Sequence, residues 1–299
     1  MILNPTAKLL NHGARVQEWL VSEQSTPVLV EIAPTGYCNA ACPWCFFKGK
    51  NTGEKIDTDK LLSAICGMGW NGIKAINWSG GGEPTLHPDF GKFVATAHGQ
   101  GIKQGLFTNA YKYIPAQDLF EWIRISLTDK GFDAIKKPKV VFGVCLNQTG
   151  DYTAEDLTRI CRDAKSFGAK YFQVRPALMD PQPELEIPYV LKDMETSGFN
   201  VYLTEYKYKD LQACHSYKEC YGYHFCPSID WRGNVSACLY LSGHKKYTFG
   251  NIYNDTFGKI LEDFPPYVNV TKGCQRKCKN DEINKILHAA KNVKQVEFL

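Results

Sequence analysis

The chain has 299 residues, 44% of them hydrophobic and 13% aromatic, which is enough for one large domain or two modest ones with a real core. Its net charge is only +4 and its basic residues are dispersed, so the sequence argues against a nucleic-acid partner. No stretch approaches the roughly 20 apolar residues that span a bilayer, and no secretory signal opens the chain. We therefore expect a cytoplasmic protein that makes no membrane contact.

Cysteine usage points towards metal chemistry. The chain contains twelve cysteines, and disulfides are rare in a reducing cytoplasm. Metal or cluster ligation explains such a number better. Three of the cysteines lie close together after residue 37, and six lie between residues 214 and 278.

Short β-like runs alternate with amphipathic stretches from residue 27 onwards, after an amphipathic helix predicted at 5–21. This alternation is typical of βα units around a parallel sheet. In parallel barrels the chemistry lies at the C-terminal ends of the strands, so polar residues there are the candidates for a site. We expect strands at 27–33, 74–79, 103–108, 123–127, 139–146, 171–175 and 200–205, and helices at 58–69, 88–100, 115–122, 153–167 and 184–197.

The first predicted strand leads into a loop with three cysteines, Cys38, Cys42 and Cys45. A [4Fe–4S] cube usually takes four cysteine ligands, so three ligands leave one iron open to a small molecule. An open metal position indicates chemistry more often than scaffolding. A zinc knuckle or scattered structural cysteines are the alternatives. The spacing, with the aromatic Trp44 before the last cysteine, resembles the signature of the radical S-adenosylmethionine (SAM) enzymes.

The resemblance implies a particular reaction and fold. In this family the open iron chelates the amino and carboxylate groups of SAM, and an electron from the cube cleaves SAM to methionine and a 5′-deoxyadenosyl radical. A flavodoxin- or ferredoxin-type protein is the expected electron donor. The implied fold is α/β, a partial (β/α)6 barrel over residues 27–210, preceded by an N-terminal helix in residues 1–26.

The second predicted strand ends in a glycine run that leads into Glu83 and Pro84. Consecutive glycines let a ligand approach the backbone because no Cβ intervenes, although such a run alone is usually a turn. One βα unit after a three-cysteine loop, it resembles the Gly-Gly-Glu-Pro motif of the family. The resemblance implies that Gly81, Gly82, Glu83 and Pro84 bind the methionine part of SAM.

Three later strand ends supply further cofactor-binding candidates. A Thr108-Asn109 pair ends the third strand, as it does near the active centre of related enzymes, and an Asx-turn is an equal interpretation. Ser126 ends the fourth strand, where the family often binds the SAM ribose through a hydroxyl. Asn147 ends the fifth and is a candidate for the ribose or the carboxylate.

Two residues are candidates for catalysis. Arg175, on the sixth strand, favours an anionic ligand and resembles an arginine that meets the SAM carboxylate or the substrate in related enzymes. An ion pair with a barrel carboxylate such as Glu31 is the alternative. Cys145, on the fifth strand, is a candidate donor of a hydrogen atom to a substrate radical.

Residues 211–299 form a cysteine-rich segment, for which we expect a hairpin turning at Arg232-Gly233 and a C-terminal helix over 280–292. The segment resembles the small α+β SPASM or twitch domain that binds auxiliary clusters. Because five cysteines compete for four positions, we expect one auxiliary [4Fe–4S] cube, with zinc as the alternative. The candidate ligands are Cys220, Cys226, Cys238, Cys274 and Cys278.

The sequence therefore predicts a radical SAM enzyme with two clusters and SAM as cofactors. About 26 residues precede the first strand, so we expect no leader-binding domain. This favours a small-molecule substrate, a sugar or similar metabolite, that is dehydrogenated or epimerised. A peptide or protein maturase is the runner-up, and an iron–sulfur electron-transfer protein is the alternative from another class.

Overall fold

A ten-stranded sheet forms the body of the protein. The computed structural model describes residues 5–47, 52–177, 184–208, 215–270, 274 and 280–294. Each of the seven predicted barrel strands is present. The strands are β1 Leu29–Ile32, β2 Ala75–Trp78, β3 Lys103–Thr108, β4 Trp122–Ser126, β5 Phe142–Gln148, β6 Tyr171–Pro176, β7 Asn200–Leu203, β8 Glu219–Cys220, β9 Ser228–Ile229, β10 Asn234–Ser236, β11 Thr248–Asn251 and β12 Val268–Asn269.

Helices cover the outer face of the sheet, and none among the described residues is long and apolar enough to cross a membrane. The helices are α1 Pro5–Leu10, α2 Gly13–Ser22, α3 Thr58–Trp70, α4 Phe90–Gly99, α5 Ala154–Phe167, α6 Glu205–Tyr208, α7 Phe257–Glu262 and α8 Asp281–Asn292.

Three helix predictions were wrong in extent. The helix expected over 5–21 is two helices, because Asn11 donates its side-chain amide to the Ala7 carbonyl and ends α1. The helix expected over 115–122 is a 3-10 turn, which follows a left-handed residue and stops before β4. The helix expected over 184–197 shrinks to a 3-10 turn that starts only after Pro188.

Strands β1 to β7 pair in chain order and are all parallel, which confirms the α/β fold and the barrel. Side chains alternate between the two faces of each strand. The outward face is mostly apolar and packs on the helices, and its buried Gln104 hydrogen-bonds to the Trp78 indole and the Val94 carbonyl of α4. The inward face becomes polar at the C-terminal ends. Outward residues with no exposed surface include Val30, Ile32, Ile76, Trp78, Ile123, Ile125, Phe172 and Val174.

The C-terminal hairpin continues the barrel sheet. Strand β9 pairs parallel with β1, β10 pairs antiparallel with β9, and β11 pairs antiparallel with β10. The predicted turn is confirmed: Gly233 has φ +78°, and the Asp230 carboxylate accepts the amides of Arg232 and Asn234. The cysteine-rich segment is therefore hydrogen-bonded to the barrel along a whole strand.

Trp231, at the tip of this hairpin, packs against the segments that end β1 and β2. Its side chain is 4% exposed. A Cβ on Gly36 would lie 2.8 Å from Trp231 Nε1, and one on Gly81 would lie 1.9 Å from its Cζ3. The indole ring also makes an edge contact with Phe47. The hairpin therefore touches the loop that contains the three cysteines.

Replacing Trp231 by Ala should lower the free energy of unfolding by about 3–5 kcal/mol, because the cavity left behind cannot be filled by neighbouring glycines. Chemical denaturation of the metal-free chain measures this. Trp70→Ala is the matched control, since Trp70 is 83% exposed, and should change stability by no more than about 0.5 kcal/mol. Equal effects of the two substitutions would contradict the role of Trp231 in packing the hairpin against the barrel.

Candidate active site

The C-terminal ends of the parallel strands surround one cavity, and the three cysteines of the N-terminal loop lie in its wall. Other predicted site residues from the barrel line the same cavity, so the structure brings together barrel candidates that are up to 137 residues apart, as Cys38 and Arg175 are. These residues are Cys38, Cys42, Trp44, Cys45, Gly82, Glu83, Pro84, Thr108, Asn109, Ser126, Asn147 and Arg175.

The three thiols are close enough to affect one another. Burial raises the pKa of Cys42 to about 11, and the charges of Cys45 and Cys38 add to the shift. Burial likewise raises the pKa of Cys38. Thiolates gathered in this way repel one another, and bound iron would offset that repulsion because a coordinating metal deprotonates its thiols outright. The donor set therefore fits an iron–sulfur cluster.

The glycine run is packed against the start of the cysteine loop. The Gly82 amide donates to the Thr35 carbonyl, and the Glu83 amide donates to the Tyr37 carbonyl, both at 2.8 Å. A Cβ on Gly82 would lie 2.0 Å from the Tyr37 oxygen. Gly82 lines the cavity, while Gly81 faces Trp231 instead. The glycines were expected to let a ligand approach the backbone. In the described structure it is the backbone of Tyr37 that lies close to Gly82.

Glu83 joins the ends of β2 and β3. Its carboxylate accepts hydrogen bonds from the hydroxyls of Thr108 (2.6 Å) and Thr85 (2.7 Å) and from the amides of Asn109 (2.7 Å) and Thr85 (3.2 Å). Burial raises the pKa of Glu83 even though these hydrogen bonds act in the opposite direction. A carboxylate with four protein donors holds the shape of the wall, whatever else it contacts.

Asn109 forms the predicted Asx-turn and also contacts the cysteine loop. Its Oδ1 accepts the Tyr111 amide at 3.0 Å, which is the Asx-turn. Its Nδ2 donates to Asn39 Oδ1 at 2.8 Å and lies 3.9 Å from Cys38 Sγ. The end of β3 is therefore tied directly to the cysteine loop.

The far wall of the cavity is cationic. Arg175 donates from Nε to Asn147 Oδ1 at 2.7 Å, and Lys207 lines the cavity from α6. Burial lowers the pKa of Arg175, but its interactions with ionisable neighbours, Cys145 foremost, outweigh burial and leave the pKa raised. Glu31 contributes to the same shift and accepts a hydrogen bond from Ser79 at 2.9 Å.

Cys145 is buried within β5 and does not belong to the described lining of the cavity. Sequence reasoning missed Lys207, which stands at the exit of β7 and could have been found by the strand-end rule. It also missed Phe46, Leu239 and Tyr240, which line the cavity from two cysteine loops. Only proximity to a cysteine could have suggested these.

A second group of cysteines adjoins the cavity. Cys238 lies in the cavity wall, and its charge acts on Tyr247 together with that of Cys274. The charge of Cys274 also acts on Cys220. Thiols on three separate segments thus share one neighbourhood, which fits a second cluster. Cys226 is buried, and Cys278 lies outside the described residues.

Helix α8 organises this second group. Asp281 accepts hydrogen bonds from His215 Nδ1 (2.9 Å) and Tyr217 Oη (3.0 Å), and His215 Nε2 lies 3.3 Å from Cys274 Sγ. The Asp281 contact, followed by the Cys274 contact, raises the pKa of His215 to about 10. Although burial opposes it, these hydrogen bonds and one from Lys285 hold the pKa of Asp281 well below its usual range.

A parallel barrel with a three-thiol loop at its open end and a second thiol group beside it defines an iron–sulfur protein with a small-molecule site. The chain belongs to the radical SAM superfamily, whose model matches residues 32–192. Residues 203–285 match the SPASM model, an iron–sulfur cluster-binding domain. The cofactor predictions, iron–sulfur clusters and SAM, are confirmed at this level.

Individual relatives are distant. The chain is 29% identical over 108 residues to a probable GTP 3′,8-cyclase of Sulfolobus acidocaldarius, covering 36% of this chain and 32% of that protein. It is 29% identical over 146 residues to an S-adenosylmethionine-dependent nucleotide dehydratase of Selenomonas ruminantium, covering 46% and 51%. The chain thus spans about a third and about half of these relatives.

A solved structure shares most of this architecture. Streptococcus suis SuiB bound to S-adenosylmethionine superposes with a TM-score of 0.64 at 15% identity, covering 88% of this chain and 72% of SuiB. At that identity the likeness shows the fold alone, both the barrel and the domain that follows it.

Gly82→Ala should abolish iron binding by the N-terminal cysteine loop, because backbone, not a flexible side chain, occupies the position of the new Cβ. Iron analysis after anaerobic reconstitution measures this. Gly99→Ala is the matched control, since Gly99 ends α4 with nothing within 4 Å of the added Cβ, and should bind as much iron as the unaltered chain. Full iron in Gly82→Ala would show that the packing of the loop is not needed.

Proposed function

We propose that this protein uses SAM to remove a hydrogen atom from a small anionic metabolite, a sugar derivative or similar compound, and that the product is dehydrogenated or epimerised. The observation that carries the proposal is the cavity itself. Three thiols form one side of it, two cations lie in its wall, and Cys238 of the second cysteine group completes it.

The protein's own residues bind and orient the cofactor and substrate. When bound, the cluster and SAM supply the 5′-deoxyadenosyl radical that removes the hydrogen atom. Gly82 and Pro84 form the wall beside the cysteine loop, where the methionine part of SAM would bind. Ser126 and Asn147 present a hydroxyl and an amide for the ribose. The aromatic rings of Phe46 and Tyr240, which pack edge to face 4.6 Å apart, exclude water on the opposite side.

The two cations in the cavity wall, Arg175 and Lys207, favour an anionic substrate, although Glu31 and Glu83 also line the cavity. SAM carries one carboxylate, for which we assign Arg175, whose Nε is already oriented by Asn147 Oδ1. We assign Lys207, which also lines the cavity, to a phosphate or carboxylate of the substrate. Two sequence relatives named for nucleotide chemistry support a substrate of this size and charge.

The second thiol group decides the outcome of the reaction in this proposal. A cluster held by Cys220, Cys238 and Cys274, with a further cysteine, would accept the substrate electron in a dehydrogenation. In an epimerisation a thiol must return a hydrogen atom, and the thiyl radical left behind must then gain an electron, which the same cluster would supply, and a proton. Cys145 is the candidate thiol, since it lies close enough to Arg175 to affect its pKa.

A reconstituted chain should release 5′-deoxyadenosine when it is reduced with dithionite in the presence of SAM, and it should bind about eight irons as two cubes. A Cys38→Ala, Cys42→Ala, Cys45→Ala variant should retain about four irons and release none of the product. Anaerobic chromatography and iron analysis measure both. An unaltered chain that holds both clusters yet leaves SAM intact would support the electron-transfer alternative.

Arg175→Gln should weaken SAM binding about tenfold or more while the iron content stays unchanged, because a charge-assisted hydrogen bond to the carboxylate is lost. Lys207→Gln is the matched control and should leave SAM affinity within about threefold. Equilibrium binding to the reconstituted protein measures both. Weaker SAM binding in Lys207→Gln alone would assign the SAM carboxylate to Lys207 and the substrate anion to Arg175. Unchanged SAM affinity in both variants would contradict the binding of SAM by these two cations.

A peptide remains the second candidate for the substrate, which would make the protein a peptide maturase. SuiB has also been solved bound to its precursor peptide, but its 16% identity to this chain in that structure carries the fold and not the substrate. Incubation with phosphorylated sugars and nucleotides on one side, and with peptides on the other, distinguishes the two by which set increases 5′-deoxyadenosine release.

A further inference from the structure

We propose that Asn284, on α8, is a positioning residue for the auxiliary cluster: its side-chain amide donates a hydrogen bond to the Cys220 thiolate and raises the reduction potential of that cluster. This inference rests on the proposed function, in which Cys220 is a ligand. It concerns the tuning of the cluster and not its presence, so the two can fail separately.

The orientation of the Asn284 amide is fixed by its surroundings. Its Oδ1 accepts the backbone amides of Tyr221 at 2.6 Å and Gly222 at 2.9 Å, and oxygen is the only side-chain atom of asparagine that accepts. Nδ2 therefore points the other way, 3.3 Å from Cys220 Sγ. The side chain is completely buried, so water cannot take its place.

The other Nδ2 hydrogen is also used. It is donated to Tyr217 Oη, 3.3 Å away, and that hydroxyl in turn donates to Asp281. The amide is thus held from both ends, by two backbone donors at its oxygen and by a tyrosine at its nitrogen. A side chain held this way keeps its N–H directed at the sulfur.

The sequence of the surrounding loop allows α8 to come this close. A Cβ on Gly222 would lie 2.7 Å from the Cβ of Asn280, the residue just before α8. Glycine two residues after Cys220 therefore lets the helix reach the thiol. Asp281, on the same helix, accepts a hydrogen bond from His215, which lies beside Cys274. Helix α8 therefore lies close to two of the predicted ligands, Cys220 and Cys274.

The sign of the effect follows from charge. Reduction adds an electron to a cluster, and part of the added charge resides on its sulfurs. A hydrogen bond to a sulfur stabilises the reduced form more than the oxidised form, and such bonds are among the determinants of cluster potential. Asn284 therefore makes the auxiliary cluster a better acceptor of an electron from the substrate radical.

The test is a redox titration of the full chain with Cys38, Cys42 and Cys45 all changed to Ala, so that the auxiliary cluster is the only one present. Asn284→Asp keeps an acceptor for Tyr221 and Gly222 and removes the donor to sulfur. At a fixed solution potential, the ratio of reduced to oxidised cluster, followed by electron paramagnetic resonance (EPR), should fall about tenfold, which corresponds to about 59 mV for a one-electron couple.

Asn292→Asp in the same background is the matched control. Asn292 lies on the same helix and donates to the His288 carbonyl at the surface, so the change adds the same charge without touching a cysteine. Its titration should match the unaltered background. An unchanged potential in Asn284→Asp, at full iron content, would overturn the inference. A background that binds no iron would overturn the auxiliary cluster itself.

A second measurement needs no substitution at Asn284. Asparagine labelled with ¹⁵N only at Nδ2 is incorporated into the same background, and the reduced cluster is examined by pulsed EPR. A ¹⁵N coupling is expected, because this nitrogen lies in the hydrogen bond to the ligand sulfur. Its absence would overturn the inference even if Asn284→Asp failed to bind iron.

Discussion

The close contact between two stretches of backbone is the constraint on which this site depends. Gly82 and Glu83 donate their amides to the carbonyls of Thr35 and Tyr37, and at that separation Gly82 has no room for a Cβ. The contact joins the end of β2 to the loop that follows β1. It therefore sets where the three thiols stand relative to the wall that would bind the methionine of SAM.

The same constraint extends into the C-terminal segment through Trp231, which fills the space beside Gly36 and Gly81. Because β9 pairs with β1, the hairpin is a continuation of the barrel sheet and not a module packed loosely upon it. Cys238, just beyond β10, consequently lies in the cavity wall. A cluster bound there would have a fixed position relative to the substrate, which electron transfer between them requires.

Buried carboxylates fix the positions of the other cavity and cysteine segments, and each loses its hydration in doing so. Glu83 loses its hydration, and four protein donors offset that loss. Asp281 does the same for the second thiol group with His215, Tyr217 and Lys285. Each carboxylate joins elements distant in sequence. Networks of this kind specify one arrangement, since losing a single partner leaves a buried group unsatisfied.

The sequence by itself determined the alternation of strands and helices, the cysteine loop, the glycine run and the hairpin turn, because strand periodicity, cysteine spacing and turn residues are local signals. The barrel was implied by the resemblance to the radical SAM enzymes. It did not determine that Gly81 faces Trp231, that Asn109 reaches Cys38, or that Lys207 and Tyr240 line the cavity. Those contacts join segments far apart in the chain. The pairing of β9 with β1 brings Trp231 and Tyr240 to the barrel, and the parallel order of β1 to β7 brings Asn109 to Cys38 and Lys207 to the cavity. Pairing between segments so far apart leaves no periodic trace in the sequence.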